Sequence, residues 1–191
     1  MAPGSNWTIR PERGDDSGET HAIGTVVAAA FGSTAEAQLV ERIRSSPGYV
    51  PEASLVAVAE SHIVGHVMLS RFALQDDDRT TRPILGLSPL AVAPGWQRRG
   101  VGAALVEAAV EVAERAGEPL VVLEGSPAYY GRLGFEWSVR YGITIDLPSW
   151  APPEAAQVRR LTNYDPAFRG RVIYPPAFDD LPDDPPPAAR R

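Results

Sequence analysis

A chain of 191 residues, 44% hydrophobic and 22% charged, has the length and composition of one globular domain with a substantial core. Its net charge of −6 excludes nucleic-acid binding by bulk electrostatics, so any positive site must be local. It has no cysteine, which removes disulfides, thiolate metal sites and a cysteine nucleophile; all 18 basic residues are arginine, so no lysine here accepts an acyl group.

In chain order, Trp7–Arg10 reads as a first strand. Asp15, Asp16 and Ser17 offer helix caps, and Ile23, Val26, Val27, Ala30 and Phe31 then recur at helical spacing. A second short helix fits Thr34 to Ser45, with Leu39, Val40 and Ile43 on one face, and Pro47 to Pro51 reads as a loop. The apolar runs Leu55–Ala59 and Ile63–Leu69, joined by Glu60-Ser61-His62, predict a hairpin. His62 and His66 lie four apart in this strand-like run, and with His21 they form no spaced ligand set, so no metal site is expected. Gln75 to Thr81, with Asp76, Asp77 and Asp78, is a polar hairpin end: a solvated loop, or a lure for a cationic ligand.

Ile84 to Val92 suits a buried strand, but Pro89 cannot donate to a ladder, which implies a bulge or local opening. A helix follows from about Gly100 to Ala116, with Val101, Leu105, Ala108 and Val112 on its apolar face and Gly117 closing it. Leu120–Leu123 is a short buried strand, and Ile143 to Leu147 the last plausible strand. Residues 149–191 read as a C-terminal extension, proline- and aspartate-rich from Tyr174 and extended or disordered there. Nothing near the N-terminus reads as a charged-then-apolar signal, and no run approaches about 18 apolar residues. A soluble, cytoplasmic protein is therefore expected.

The chemistry concentrates around Gln97-Arg98-Arg99-Gly100-Val101-Gly102-Ala103, between a strand and a helix. A helix N-terminus presents unpaired N–H groups and partial positive charge, a ready site for phosphate. The glycines let a ligand approach the backbone, and the two arginines add fixed charge. Arg98 and Arg99 are either a solvated pair or phosphate contacts.

Two motifs resemble those of the GNAT superfamily of acetyl-coenzyme A-dependent N-acyltransferases. Gln97 to Gly102 matches that family's pyrophosphate turn, and Tyr130-Gly131-Arg132-Leu133-Gly134-Phe135 matches its closing signature, in the right order and separation. The resemblance covers roughly Trp7 to Leu147, so residues 7–148 are expected to form the domain. It implies an α/β fold: a central mixed, mostly antiparallel sheet, splayed at the cofactor cleft and flanked by helices. It also implies acetyl-CoA as co-substrate, with its pyrophosphate on Gln97–Ala103. The pantetheine arm would lie along Leu90, Ala91 and Val92, the backbone bonds coming from Leu90 and Val92.

By the same resemblance Tyr130 is the general acid that protonates the departing thiolate, a role within a phenol's reach. Direct transfer to a primary amine of a small molecule or peptide is expected, because no cysteine can carry the acyl group. The Val92 N–H is placed for the developing oxyanion. Tyr129 reads as packing. Glu124 ends a strand beside the cleft, as an acceptor contact, a base, or merely a rim carboxylate. The acceptor pocket is expected from the first two helices, the 75–81 loop and segments after Glu124.

A dinucleotide site is the nearest rival, since Gly100-x-Gly102 opens a helix and Glu124 follows at about 20 residues. Leu105 stands where its third glycine belongs, and the step from Val92 to Gly100 is too long for that tight turn. The phosphate-loop motif of nucleotide hydrolases is absent. Another rival is a non-catalytic acyl-CoA sensor or assembly module on the same fold. Expected partners are thus an amine acceptor, with no nucleic acid and no membrane, and a monomeric or homodimeric chain.

Overall fold

The computed structural model describes residues 6–182. Nine strands among these form one sheet, with central order β1 (Thr8–Pro11), β2 (Tyr49–Ala59), β3 (His62–Gln75), β4 (Thr81–Val92), β5 (Leu120–Glu124), β8 (Ala156–Arg160) and β6 (Glu136–Trp137). Off this path, β9 (Gly170–Ile173) adds to the outer end of β3, and β7 (Ile143–Thr144) pairs with β9. Neighbours on the central path run antiparallel except β4 and β5, which are joined in parallel through a helix as a crossover requires.

Helices α1 (Ser17–Phe31) and α2 (Ala35–Arg44) cover one face of the sheet, and α3 (Val101–Arg115) the other. Asp16 starts α1 by accepting from the Gly18 and Glu19 amides, and Gly32, at φ 70°, ends it. Ile23 and Val27 on its inner face are fully buried, each contributing about 1.5–3 kcal/mol. The buried face of α3 is Val101, Leu105, Val106, Ala109, Val110 and Ala113. The expected face is thus rotated: Ala108 and Val112 are only half-buried, because α3 beds its small Ala109 and Ala113 against the sheet.

The β2–β3 hairpin turns on Glu60 and Ser61, both at positive φ, the geometry that matches strand twist in a two-residue turn. Residues 49–51, expected in a loop, instead open β2, where an irregular register between Tyr49 and Ser54 accommodates Pro51. The break foreseen at Pro89 is a bulge: Val67 pairs with Leu90 and Leu69 with Leu87, so that two residues of β4 oppose one of β3.

Three expectations about the C-terminal part need correction. The strand expected over Ile143 to Leu147 is only Ile143–Thr144, and it is not the last, since β8 and β9 follow it. The boundary expected at 148/149 separates no unit, because β8 lies between β5 and β6 inside the sheet. Pairing to β5 satisfies an edge that would otherwise be bare. Beyond it, Ala177 and Phe178 enter the α1–α2 core, held by Arg42 Nε donating to the Ala177 carbonyl at 2.8 Å. Of the tail expected to be extended or disordered from Tyr174, residues 174–182 instead pack on this core, and residues 183–191 lie outside the described residues.

A buried polar cluster fastens this side of the fold. Glu12 accepts from Arg44 of α2 at 2.9 and 3.1 Å and from the Tyr49 hydroxyl at 2.6 Å. His66 Nε2 lies 3.3 Å from Glu12 and 3.1 Å from Ser54 Oγ. Burial pushes the Glu12 carboxyl up, but the bonds from His66, Arg44 and Tyr49 outweigh it and hold it well below the usual carboxylate range. No group of His, Asp or Glu among the described residues is arranged to hold a metal ion.

Candidate active site

Strands β4 and β5 pair only at Leu85–Val121 and Gly86–Val122. Past Gly86 they part, and the gap between them opens a cavity of about 950 Å³ that reaches from Ser88, Pro89 and Leu90 on one strand to Leu123, Glu124 and Tyr130 on the other side. The Ala93 amide donates to Val64 of β3 at 2.9 Å. By strand alternation Ala91 also turns its amide to β3, while Leu90 and Val92 turn theirs toward the gap. Of the three residues expected along the pantetheine arm, Ala91 therefore offers the gap no backbone group.

Gln97 Nε2 donates to the Val92 carbonyl at 3.1 Å, tying the loop to the end of β4. Pro94–Trp96 makes a single 3₁₀ turn, and Arg98 and Gly100 then take positive φ of 59° and 85°. Gly100 caps α3 without a side chain, and its missing Cβ faces open space. Since the Ala104 amide is the first to bond back, to Gly100, the amides of Val101, Gly102 and Ala103 fall in the turn that a helix leaves unpaired. Arg98 and Arg99 are exposed, and the Arg99 guanidinium stacks 5.1 Å from the Trp96 ring centroid.

The second motif folds as α4 (Pro127–Tyr130) and a 3₁₀ turn over Gly131–Leu133, started by Pro127 at the first helical position and ended by Gly134 at φ 77°. That reversal buries Phe135 and stacks it edge-on to Tyr130, centroids 5.6 Å apart; Tyr129 meets Tyr130 from another side at 4.9 Å. Burial, and then the neighbouring Tyr129, push the Tyr130 phenol well above its usual value, so it keeps its proton. Tyr129 packs as expected, with its hydroxyl 2.6 Å from where a Cβ on Gly102 would sit.

The far wall of the cavity is built by residues that sequence reasoning did not single out. Phe72, Tyr174 and Phe178 form a three-ring cluster with centroids 5.0–5.4 Å apart. Glu36, at the start of α2, and Trp150 complete the wall. Burial, then the carboxylates of Glu124 and Asp146, raise the Tyr174 phenol. Glu36 had the look of an ordinary first-turn acid, and Tyr174 of part of a proline-rich tail, so neither carried a signal. The 75–81 loop does not line the cavity; there Asp76 and Asp78 accept from the Thr80 amide in a solvated turn.

The chain matches the model of the family described as Acetyltransferase (GNAT) domain over residues 13–138. It is 30% identical to the uncharacterized N-acetyltransferase YhbS of Escherichia coli over 148 residues, 78% of this chain and 84% of that protein. Identity with the uncharacterized N-acetyltransferase YjhQ of Escherichia coli K12 is 34% over 122 residues, 63% of this chain and 66% of that one, slightly less than two thirds of its length. Among solved structures, the E. coli YhbS structure in complex with CoA superposes with a TM-score of 0.79, at 27% identity over 95% of this chain and 97% of that one. A GNAT family acetyltransferase from Brucella melitensis in complex with acetyl-CoA follows at 0.71, at 26% identity over 91% and 98%. The chain belongs to the GNAT acetyltransferase family.

Proposed function

We propose that this protein transfers the acetyl group of acetyl-CoA directly to a primary amine of a small molecule or peptide. The parting of β4 from β5 past Gly86 carries the reading, because it leaves a cavity between Ser88, Pro89 and Leu90 on one side and Tyr130 on the other, and β4 runs on from there into the open turn of α3. The CoA and acetyl-CoA bound in the two similar crystal structures support it. In this reading the amides of Val101–Ala103, with Gln97 and the arginines, hold the pyrophosphate. Leu90 and Val92 bind the pantetheine arm as a further strand would.

The amine nitrogen, having given its extra proton to water, attacks the thioester carbonyl carbon. Its oxygen draws on the Val92 N–H as charge develops. The C–N bond forms and the nitrogen gives up a second proton to water; the C–S bond breaks, Tyr130 gives its proton to the leaving sulfur, and solvent returns a proton to the phenolate. Burial keeps the Tyr130 phenol protonated until the sulfur takes the proton. Glu124 faces the incoming amine. The reaction needs no membrane or nucleic acid, and no helix among the described residues is long and apolar enough to cross a membrane.

Tyr130→Phe is the test, since it keeps the ring between Tyr129 and Phe135 and removes only the hydroxyl. Amine-dependent CoA release should fall about 100-fold or more, with acetyl-CoA affinity by calorimetry unchanged. Wild-type protein that gives no heat with acetyl-CoA ends the proposal.

A further inference from the structure

Building on that transfer reading, we infer that the acceptor is a small monocationic amine on an apolar or aromatic body, without a carboxylate of its own, and that Glu36 selects it. The cavity is large enough for such a body beside the reacting end of the cofactor. Its acceptor wall is the ring cluster of Phe72, Tyr174 and Phe178, continued by Trp150. Rings of this kind bind apolar groups by area and geometry, and give few hydrogen bonds to a sugar or a peptide backbone.

Charge in the cavity has one sign. Glu36, Glu124, Asp146 and Asp179 border it, and no arginine or histidine does among the described residues. Asp146 is committed to Arg171 outside. Glu36 differs from it: half-buried, it borders the cavity from the first turn of α2, and its Oε2 accepts no hydrogen bond among the described residues. The N-terminus of α2 offsets part of that charge but fills no bonding position on the oxygen. A carboxylate at the edge of a ring-lined cavity gains a charge-assisted hydrogen bond when an ammonium binds beside it. An amino acid would set its own carboxylate among these acids with no cation to receive it, which discriminates against it by repulsion.

The test uses the full chain loaded with CoA and three probes: 2-phenylethylamine, ethylamine, which lacks the ring, and phenylalanine, which adds the carboxylate. Calorimetry should show 2-phenylethylamine binding about tenfold or more tighter than either. Glu36→Gln should weaken it by about tenfold while leaving acetyl-CoA affinity unchanged, and Glu36→Asp should recover part of the loss. Phenylalanine or ethylamine binding as well as 2-phenylethylamine, or no effect of Glu36→Gln, overturns the acceptor class alone. Failure of wild type to bind acetyl-CoA or CoA overturns the transfer reading and the acceptor class with it.

Discussion

The slot between β4 and β5 has two halves, and they are built from different material. On the half read as the cofactor's, one continuous stretch from Leu90 to Ala103 supplies backbone amides, three glycines and exposed arginines. On the acceptor's half, side chains converge from α1, α2, β3, residues 145–152 and residues 174–182. Backbone amides recognise a group shared by every acyl-CoA, whereas side-chain walls can be exchanged without disturbing the turn. A fold arranged this way keeps one donor and is free to change its acceptor.

The division should show first in stability. Arg44 ties α2, and so the acceptor half, to Glu12 and Tyr49 with no counterpart on the α3 side of the sheet among the bonds of that cluster. Glu12→Gln removes one partner of a buried ion pair and should cost about 3 kcal/mol in denaturant unfolding. The sign with pH follows from linkage. The folded Glu12 carboxyl lies below its unfolded value near 4.5, so its contribution is complete above that value and is lost as pH falls below it. As pH is lowered from about 6 to about 3, amide exchange in wild type should reach α2 before α3, and Glu12→Gln should flatten the acid slope. Simultaneous exchange of both helices would mean that the halves are not separable.

On the cofactor side, Gly100→Val puts a β-branched side chain at φ 85° and into the open space before the α3 amides. Acetyl-CoA should bind about 30-fold more weakly, roughly 2 kcal/mol. Amine binding to the same protein, followed by the quenching of its aromatic wall, should be unchanged. An equal loss for both ligands would point to collapse of the whole slot.

The same division decides what could be read in the sequence. The turn at Gln97–Gly102 and the Tyr130–Phe135 signature are local: Gly100 and Gly134 sit at positive φ, where few residues but glycine rest, and the chemistry lies within six residues of each. The bulge at Pro89 was legible because proline has no N–H for the ladder. By contrast β8, Ala156–Arg160, is a short strand between proline-containing segments, and its partner β5 lies more than 30 residues away in the sequence. Nothing local announces such a pairing. The acceptor wall was hidden for the same reason: Phe72, Glu36 and Phe178 meet only through the tertiary fold. The rotation of the α3 face shows a milder loss, since alanine fits either side of a helix and the sheet decides.

Gly86 stands where the two halves meet, and tests whether the wall can be altered alone. A Cβ there would lie 2.3 Å from the Phe72 ring, so Gly86→Ala forces that ring to shift within the cluster it makes with Tyr174 and Phe178. The strain should be about 1–3 kcal/mol. Because the ring belongs to the acceptor wall, 2-phenylethylamine binding should weaken about fivefold, while acetyl-CoA affinity stays within error of wild type. Trimming the ring in Gly86→Ala/Phe72→Leu should return most of the stability, since the added methyl then has room, without restoring the amine's affinity. Recovery of both would show that Phe72 merely fills space there; a fall in acetyl-CoA affinity would show that β4 itself had moved and that the boundary between the halves lies elsewhere.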